Sequence, residues 1–163
     1  MPLDILYSKP GHLIRRAHQI AVALFMEECA SYDVTPVQYA ALVAIKETPG
    51  IAAIQLSAMV AFDPATLGKV IERLEAKKLV SRRVTAEDKR AKRLFLTREG
   101  LALVESIEPA VMRSQDRILA PLGVKDRRTF VRLLDQMVET NNHASRAPRG
   151  PMRATTRRRA VAR

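Results

Sequence analysis

Hydrophobic residues recur at helical spacing near both ends of the chain. In residues 11 to 32 they stand three and four positions apart with charged residues between them, which predicts a long helix with a wide apolar face. The same spacing predicts a helix of about 20 residues that Thr97 can cap and that is bent at Pro109, and a last helix from about Lys125 to Asn141. The apolar positions of the first helix are Leu13, Ile14, Ala17, Ile20, Ala21, Leu24 and Phe25.

Shorter helices are predicted between these ends. Thr35 is placed to cap one of them, Gln38 completes a capping box, and this helix ends at about Glu47. A second short helix follows over about residues 53 to 60, with three side chains expected to be buried. Those side chains are Ile54, Leu56 and Met59.

A third short helix begins at Asp63-Pro64, where a carboxylate can cap the helix and proline suits its first turn. Its apolar residues form one inward stripe, so its other side presents cations to solvent. The stripe consists of Leu67, Val70, Ile71 and Leu74. A helix, a short turn and a second helix with a cationic outer face are typical of a helix-turn-helix.

From Leu79 onward the hydrophobic period changes from that of a helix to that of a strand. Val80 and Val84 alternate with Arg82, and apolar and basic residues alternate again at 93–96, which predicts a two-stranded hairpin. The polar connection at residues 86–90 then forms the tip of a wing. The predicted fold is mainly α with a small β-hairpin wing, a winged helix-turn-helix.

Charge is distributed unevenly along the 163 residues. Residues 62–98 contain eleven Lys and Arg against five Asp and Glu, and the chain after His143 adds seven arginines to an overall net charge of +11. The remaining residues are slightly acidic. A basic head on a slightly acidic body favours attraction to a phosphate backbone, although a solvated charged face would have the same composition. Residues 143–163 lack acids and apolar periodicity, so we expect a disordered basic tail there.

The composition excludes several other classes of protein. One cysteine, Cys29, and three scattered histidines provide neither a disulfide framework nor the spacing of a metal site. No signal peptide, membrane-spanning run, phosphate-binding loop or nucleophile with a paired base is recognisable. We therefore expect a cytoplasmic, nucleoid-associated protein that is not an enzyme and has no cofactor, metal or membrane partner.

Over residues 10 to 141 the chain resembles the MarR family of winged helix-turn-helix regulators. The resemblance rests on the helix-to-wing pattern at its expected spacing, namely Asp63, Ile71, Leu74, Leu79, Val80, Arg82, Asp88, Lys89, Arg90, Leu96, Thr97 and Gly100. One position departs from the family pattern: Lys78 stands where a glycine is usual, after the recognition helix. The left-handed backbone expected there costs a lysine about 1 kcal/mol relative to glycine.

The resemblance implies an obligate homodimer that binds double-stranded DNA. Helices at the two ends would interleave, and they also carry more apolar surface than one small head could cover. The chain then divides into an N-terminal dimerisation helix (1–34), a DNA-binding lobe (35–98), C-terminal dimerisation helices (99–142) and the tail (143–163). A monomer that packs these helices on itself is the alternative.

Candidate DNA contacts lie on the third short helix and on the wing. Thr66, Lys69 and Arg73 share the outward face, where Thr66 suits a thymine methyl or a phosphate and the cations suit guanine. Arg73 could instead contact phosphates only. The small residues Pro64 and Ala65 set how deeply the helix sits in the groove. The wing candidates are Arg82, Asp88, Lys89, Arg90, Lys92 and Arg93.

Within the wing, Asp88 is expected to orient Arg90 into a narrow minor groove, which concentrates negative potential. The same arginine has this role in the family that the chain resembles. A loose surface ion pair is the alternative. The other basic residues of the wing would contact the DNA backbone or help to orient the wing, namely Arg82, Arg83, Lys92 and Arg93.

Members of the family commonly respond to small aromatic acids or phenols. His12 and Arg16, one helical turn apart, could hold a carboxylate, with Gln38 and Tyr39 beside them. Arg16 could equally form an interface ion pair, and Tyr39 could belong to the core. Cys29 could sense oxidants, but a buried inert thiol is favoured.

The sequence and the resemblance thus predict a ligand-responsive transcriptional repressor that binds a pseudo-palindromic operator as a homodimer and is released by a small aromatic acid or phenol. The alternatives are an architectural or weakly specific DNA-binding protein and a cysteine-based redox-sensing regulator.

Overall fold

The computed structural model describes residues 3–84 and 92–150. Within these ranges, seven α-helices and three short strands follow one another in the order α1, α2, α3, β1, α4, α5, β2, β3, α6, α7. The helices are α1 (Leu3–Tyr7), α2 (Pro10–Glu28), α3 (Pro36–Glu47), α4 (Ala53–Val60), α5 (Pro64–Ala76), α6 (Arg98–Leu119) and α7 (Val124–Thr140). The strands are β1 (Ile51–Ala52), β2 (Val80–Val84) and β3 (Lys92–Leu96). The mainly α winged helix-turn-helix is confirmed.

Helix starts follow the predicted capping residues. The Thr35 hydroxyl accepts a hydrogen bond from the Gln38 backbone N–H, while the Gln38 side chain accepts one from the Thr35 N–H, so the capping box is complete. The Asp63 carboxylate caps α5 by accepting from the Thr66 N–H at 2.9 Å. Thr97 caps α6 in the same way, through the Gly100 N–H. The α6 helix continues through Pro109 to Leu119.

The sheet has three antiparallel strands in the order β1-β3-β2. Register places Val80 opposite Leu96 and Ile51 opposite Leu94, so β3 is paired on both sides at its base. The sequence does not predict strand β1, because two residues are too few to show a period. The alternating pattern of β2 predicts that Val80 and Val84 both face inward. Val84 is instead 59% exposed.

One hydrophobic core joins α3, α4, α5, the base of the wing and the facing halves of α2 and α6. All four residues of the predicted α5 stripe are buried. In α4 only Leu56 of the three expected side chains is buried, because Ile54 and Met59 face solvent. The core includes Phe25, Val34, Leu42, Ile45, Ile51, Leu56, Leu67, Ile71, Leu74, Leu94, Val104 and Ile107.

The end of α2 is clamped to α6 by polar contacts around the core. Glu28 accepts hydrogen bonds from Arg113 and Arg117, each at 2.9 Å, and Arg117 also contacts Glu27. These hydrogen bonds lower the pKa of Glu28. A lowered carboxyl pKa contributes stability above the unfolded-state pKa, and this contribution disappears as the pH falls through the folded-state pKa. The clamp is therefore formed at neutral pH.

The rest of α2 and all of α7 leave large apolar side chains uncovered. No residue of α7 is buried, although the helix is strongly amphipathic. Exposed apolar residues of α1 and α2 are Leu3, Ile5, Tyr7, Leu13, Ile14, Ile20 and Met26; those of α7 are Val124, Phe130, Val131, Leu133, Leu134, Met137 and Val138. Apolar surface of this extent is typical of an interface rather than of an isolated monomer.

The end of α5 shows how the chain accommodates Lys78. Lys78 has φ of 58°, in the left-handed region. Its N–H donates to the Glu75 carbonyl, and the Leu79 N–H donates to the Leu74 carbonyl, which is the hydrogen-bond pattern of a Schellman cap. A lysine therefore stands where the backbone favours glycine.

We expect Lys78→Gly to raise the free energy of unfolding by about 1 kcal/mol, because glycine adopts this φ without steric cost. Chemical denaturation with urea measures the change. Lys77→Gly is the matched control, since Lys77 has φ of −78° and should lose stability instead. A Lys78→Gly protein that is less stable than wild type would contradict the argument.

The chain after α7 departs from the expectation of a disordered tail beginning at residue 143. A 3-10 turn covers Asn142–Ala144, and the Asn142 side chain hydrogen-bonds to both the N–H and the carbonyl of Arg149. The Gly150 N–H then donates to the Ala58 carbonyl on α4 at 2.9 Å. The expectation is wrong for residues 143–150 because a compositional argument overlooks these polar contacts. Residues 151–163 lie outside the described residues.

Candidate DNA-binding site

The outward face of α5 brings together the side chains predicted to read DNA. Ala65, Thr66, Lys69 and Arg73 line one shallow depression of about 240 Å³ on the surface. Pro64 occupies the first turn, directly after the capping residue Asp63. The helix start is held by that cap while the buried stripe fixes its rotation. Thr66, Lys69 and Arg73 consequently point away from the core along one side.

Arg73 also borders a second cavity, which the sequence did not predict. This cavity has a volume of about 340 Å³ and lies between the end of α2, the start of α3 and the end of α5. Lys77 and Asp33 both line this cavity and form an ion pair with each other at 2.8 Å. The other lining residues are Met26, Val34, Thr35, Gln38 and Ala76. Arg73 therefore lies at the junction of the recognition helix with the body.

The described part of the wing carries concentrated positive charge. Arg83 and Arg93 are directly opposite each other on β2 and β3. Like charges in such a pair destabilise a hairpin, and a phosphate placed over them would relieve the repulsion. Arg83 also stacks over the Phe95 ring at 5.5 Å, so its guanidinium is oriented by an aromatic face. Lys92 is exposed opposite Val84.

Arg82 has a structural partner rather than a free guanidinium. Its Nε lies 2.9 Å from a carboxylate oxygen of Glu75, so it ties β2 to α5. Of the two roles expected for Arg82, this contact favours orientation of the wing over a grip on the DNA backbone. The remaining wing candidates, Asp88, Lys89 and Arg90, lie outside the described residues.

Within one chain, the four residues predicted to bind an effector do not form a single cluster. Gln38 is only 4% exposed and its carbonyl oxygen is committed to the capping box. The Tyr39 ring packs on Phe25 with 5.9 Å between ring centroids, and burial raises its pKa. Phe25 lies nine positions beyond Arg16 on α2, which is roughly 13 Å along a helix. His12 lies near Tyr7, at 5.4 Å between centroids, and Arg16 is exposed.

Cys29 occupies an environment that disfavours the reactive thiolate. The residue is 1% exposed, and burial raises the pKa of its thiol. Thiolate character and access to solvent both favour oxidation, and this site provides neither. The nearby Tyr32 hydroxyl is already engaged, donating to the Ser106 carbonyl at 2.8 Å. Cys29 therefore serves as a packing residue where α2 meets α6.

Among residues 3–84 and 92–150, no three His, Cys, Asp or Glu side chains are grouped closely enough to hold a metal ion. None of the helices in those ranges combines the length and apolar character needed to cross a membrane.

A helix-turn-helix with a cationic recognition face, followed by a basic wing and flanked by long helices, defines a winged helix-turn-helix DNA-binding protein. A sequence model described as "MarR family" matches residues 32–91. The transcriptional regulator HosA of Escherichia coli O157:H7 is 31% identical over 135 residues, covering 83% of this chain and 98% of HosA. The chain belongs to the MarR family of transcriptional regulators.

Two further proteins are similar to this chain over most of its length. The HTH-type transcriptional repressor NicR of Pseudomonas putida is 27% identical over 143 residues, covering 88% of this chain and 90% of NicR. The structure of BpsR from Bordetella bronchiseptica superposes with a TM-score of 0.76 at 32% identity, covering 82% of this chain and 95% of BpsR. That structure is described as showing how 6-hydroxynicotinic acid regulates DNA binding by BpsR.

Proposed function

We propose that the protein is a homodimeric repressor that binds a pseudo-palindromic operator and is released by a small aromatic carboxylate or phenol. The observation that carries this proposal is the common exposed face of Thr66, Lys69 and Arg73 on the second helix of a helix-turn-helix. Side chains at this place reach base edges when the helix lies in the major groove. The protein would act on DNA in the cytoplasm.

Dimerisation follows from the uncovered apolar faces of α2 and α7. Burying apolar surface contributes about 25 cal/mol per Å², so two helices that expose four (α2) and seven (α7) large apolar side chains gain from a second copy. The two DNA-binding lobes of such a dimer would bind half-sites about one helical turn of DNA, or 34–36 Å, apart. A small change in the distance between the heads is then enough to lower operator affinity.

Two observations support an aromatic carboxylate as effector. BpsR, which shares this fold, is regulated by an aromatic acid according to its description. In this chain, Arg16 and His12 stand one turn apart on the uncovered half of α2, where a carboxylate would meet a guanidinium and an imidazole. Tyr39 and Gln38 lie on α3, beside the end of α2 that is remote from His12 and Arg16. They would therefore complete the site only if the dimer brought them next to these two residues.

We expect an aromatic acid such as 6-hydroxynicotinic acid to reduce operator affinity at least about tenfold, because a ligand shifts an equilibrium only by its differential affinity for the two states. Fluorescence anisotropy with a DNA site selected from random sequence measures the change. Arg16→Ala should abolish the response while leaving DNA affinity within about twofold.

Arg15→Ala is the matched control for this experiment, since the Arg15 guanidinium contacts only Gln19 within the described residues. The control should respond to the acid as wild type does. If a panel of aromatic acids and phenols leaves wild-type affinity unchanged, the effector proposal fails although operator binding stands.

For the wing, we expect Arg90→Ala to weaken operator binding by about 1–3 kcal/mol, because an arginine in a narrow minor groove contacts concentrated negative potential. Gel-shift titration measures the affinity, and sedimentation velocity should show an unchanged oligomeric state. Arg15→Ala again serves as the control. An Arg90→Ala protein with wild-type affinity would remove the wing tip from DNA recognition.

The architectural alternative makes a different prediction about specificity. A regulator should prefer its selected site over random competitor DNA by at least about 10³-fold at physiological salt, whereas a packaging protein should show little preference. Measuring the ratio over a range of salt concentrations separates sequence reading from phosphate attraction.

A further inference from the structure

Among the described residues, the hydrogen bonds and ion pairs that join α7 to the rest of its own chain lie near its two ends. No residue of α7 is buried, so packing within the chain does little to fix the middle of the helix. At its start, the Arg127 guanidinium donates to the Leu122 carbonyl at 2.9 Å, in the turn that follows α6. At its far end the chain continues into residues 142–150, which we call the clasp.

The clasp is closed by its first residue. The Asn142 side chain donates to the Arg149 carbonyl at 2.9 Å and accepts from the Arg149 N–H at 2.8 Å. The Arg149 guanidinium also donates to the Glu139 carboxylate on α7 at 3.2 Å. These contacts hold the end of the clasp against the end of α7, and they place the next residue, Gly150, beside α4.

The clasp ends on α4, the first helix of the helix-turn-helix. The last carbonyls of a helix lack partners within the helix. Beyond α4 the chain turns at Ala61, with φ of 54°. The Phe62 N–H therefore donates to the Ser57 carbonyl instead of the Ala58 carbonyl. The Gly150 N–H donates to the Ala58 carbonyl at 2.9 Å and so supplies the missing partner.

With the clasp in place, α6, α7 and the DNA-binding lobe form a closed frame. The first turn of α6 packs at Gly100 against the backbone of Leu79, at the base of the wing. The 22 residues of α6 then span about 33 Å, and the 17 residues of α7 span about 26 Å. Because the clasp returns to α4, the lobe is joined to α7 at two separate places. A lobe held at two places cannot pivot about either of them, whereas a lobe held only by α6 can.

We propose that the clasp fixes the angle between the DNA-binding lobe and α7 of the same chain, and thereby determines which spacing of operator half-sites the protein accepts. This role rests on the proposed operator-binding homodimer, in which α7 contributes its uncovered apolar face to the interface. At the end of a lever of about 33 Å, a pivot of about 7° moves the lobe by about 4 Å, which exceeds the rise of one base pair. A lobe that cannot pivot therefore rejects half-sites that are one base pair too near or too far.

An engineered disulfide tests the clasp without any DNA. A Cβ added to Gly150 would lie 3.2 Å from the Ala58 Cβ. The Cβ atoms of a disulfide lie about 3.8 Å apart, so Ala58→Cys with Gly150→Cys should cross-link on mild oxidation in a Cys29→Ala background. Non-reducing electrophoresis and mass spectrometry distinguish a bond within one chain, which we expect, from a bond between two chains. A bond between chains, or none, would overturn the joining of α7 to its own lobe.

Limited trypsin digestion provides an independent measurement should the cysteine pair fold poorly. The bond after Arg149 lies inside the clasp, so Asn142→Ala should accelerate its cleavage at least about fivefold by opening the clasp locally. Asn141→Ala is the matched control, because the Asn141 side chain donates to the Met137 carbonyl within α7 and takes no part in the clasp. Equal cleavage of the two variants would show that Asn142 does not hold the clasp closed.

The functional test changes the half-site spacing of a selected operator by one base pair in either direction and measures affinity by fluorescence anisotropy. Wild type and Asn141→Ala should each lose affinity at least about tenfold on either change, whereas Asn142→Ala should lose no more than about threefold. A protein ending at Gly150 should discriminate as wild type does, because the clasp is complete at that residue. A merely structural role of Asn142 would lower affinity equally at every spacing and would leave this ratio unchanged.

The disulfide also provides a rescue. In an Asn142→Ala protein that carries Ala58→Cys and Gly150→Cys, oxidation should restore the tenfold discrimination between spacings, and reduction should remove it. Equal spacing profiles for Asn142→Ala and Asn141→Ala, or an oxidised protein that still tolerates altered spacing, would overturn the role of the clasp. Failure of wild type to select any operator would instead overturn the proposed function and the spacing role that rests on it, whereas the cross-linking result would be unaffected.

Discussion

Replacing Gly100 by alanine is expected to destabilise the protein by about 3 kcal/mol or more, because the added methyl would collide with backbone rather than with a movable side chain. An alanine Cβ at this position would lie 2.0 Å from the Leu79 carbonyl oxygen. That carbonyl also accepts from the Thr97 N–H, and the Thr97 hydroxyl donates to the Lys78 carbonyl at 2.7 Å. The first turn of α6 is therefore fixed against the start of the wing and cannot move away cheaply.

Urea denaturation followed by circular dichroism measures the loss, and a destabilised wing should also lower DNA affinity. Gly68→Ala on α5 is the matched control, since no atom other than those of its chain neighbours and of the local helix backbone lies within 4 Å of its added Cβ. Alanine in a helix interior is favoured over glycine by about 0.5–1 kcal/mol, so the control should become more stable. A Gly100→Ala protein as stable as wild type would show that α6 and the wing are not rigidly apposed.

Leu134→Asp is expected to convert the dimer to a monomer and to weaken operator binding at least about 100-fold, because the two half-sites would then be bound without avidity. Leu134 lies on the uncovered apolar face of α7 and is 40% exposed in the single chain. Burying it at an interface contributes about 1.5–3 kcal/mol, and an aspartate there adds the cost of an unpaired buried charge.

Sedimentation equilibrium tests the oligomeric state, and gel-shift titration on a selected operator tests the affinity. Gln136→Asp introduces the same charge two residues away, about 200° around the helix, and should leave both measurements unchanged. Circular dichroism must show that both variants retain their helices. A Leu134→Asp protein that still dimerises would place the interface elsewhere on the chain.

Structural features that depend on residues within about four positions of each other could be predicted from the sequence. The caps at Thr35, Asp63 and Thr97 stand at their predicted positions because a capping side chain bonds a backbone N–H only two or three residues ahead. The inward stripe of α5 follows equally from the helical period. These local features, with the change of period at Leu79, were sufficient to predict the winged helix-turn-helix and its cationic face.

Contacts between segments far apart along the chain could not be predicted in this way. Ile54 and Met59 match the apolar spacing of α4, yet the neighbouring elements cover only Leu56. Arg82 looks like a DNA contact in sequence, but the fold places Glu75 within 2.9 Å of it. Gln38, expected in a ligand site, proved to be buried by α3 packing and engaged in the cap that the same sequence had predicted.

By itself, the sequence determined the order of helices α2 to α7, the capped starts of α3, α5 and α6, the basic wing and membership of a family of DNA-binding regulators. Tertiary structure decided that Ile51 pairs with Leu94, that Cys29 is sealed at the α2–α6 junction, and that Gly150 reaches Ala58. The division has a physical reason. Helical periods and caps depend on neighbours along the chain, whereas strand pairing, burial and the contact of Gly150 with Ala58 depend on which remote surfaces meet once the core has formed.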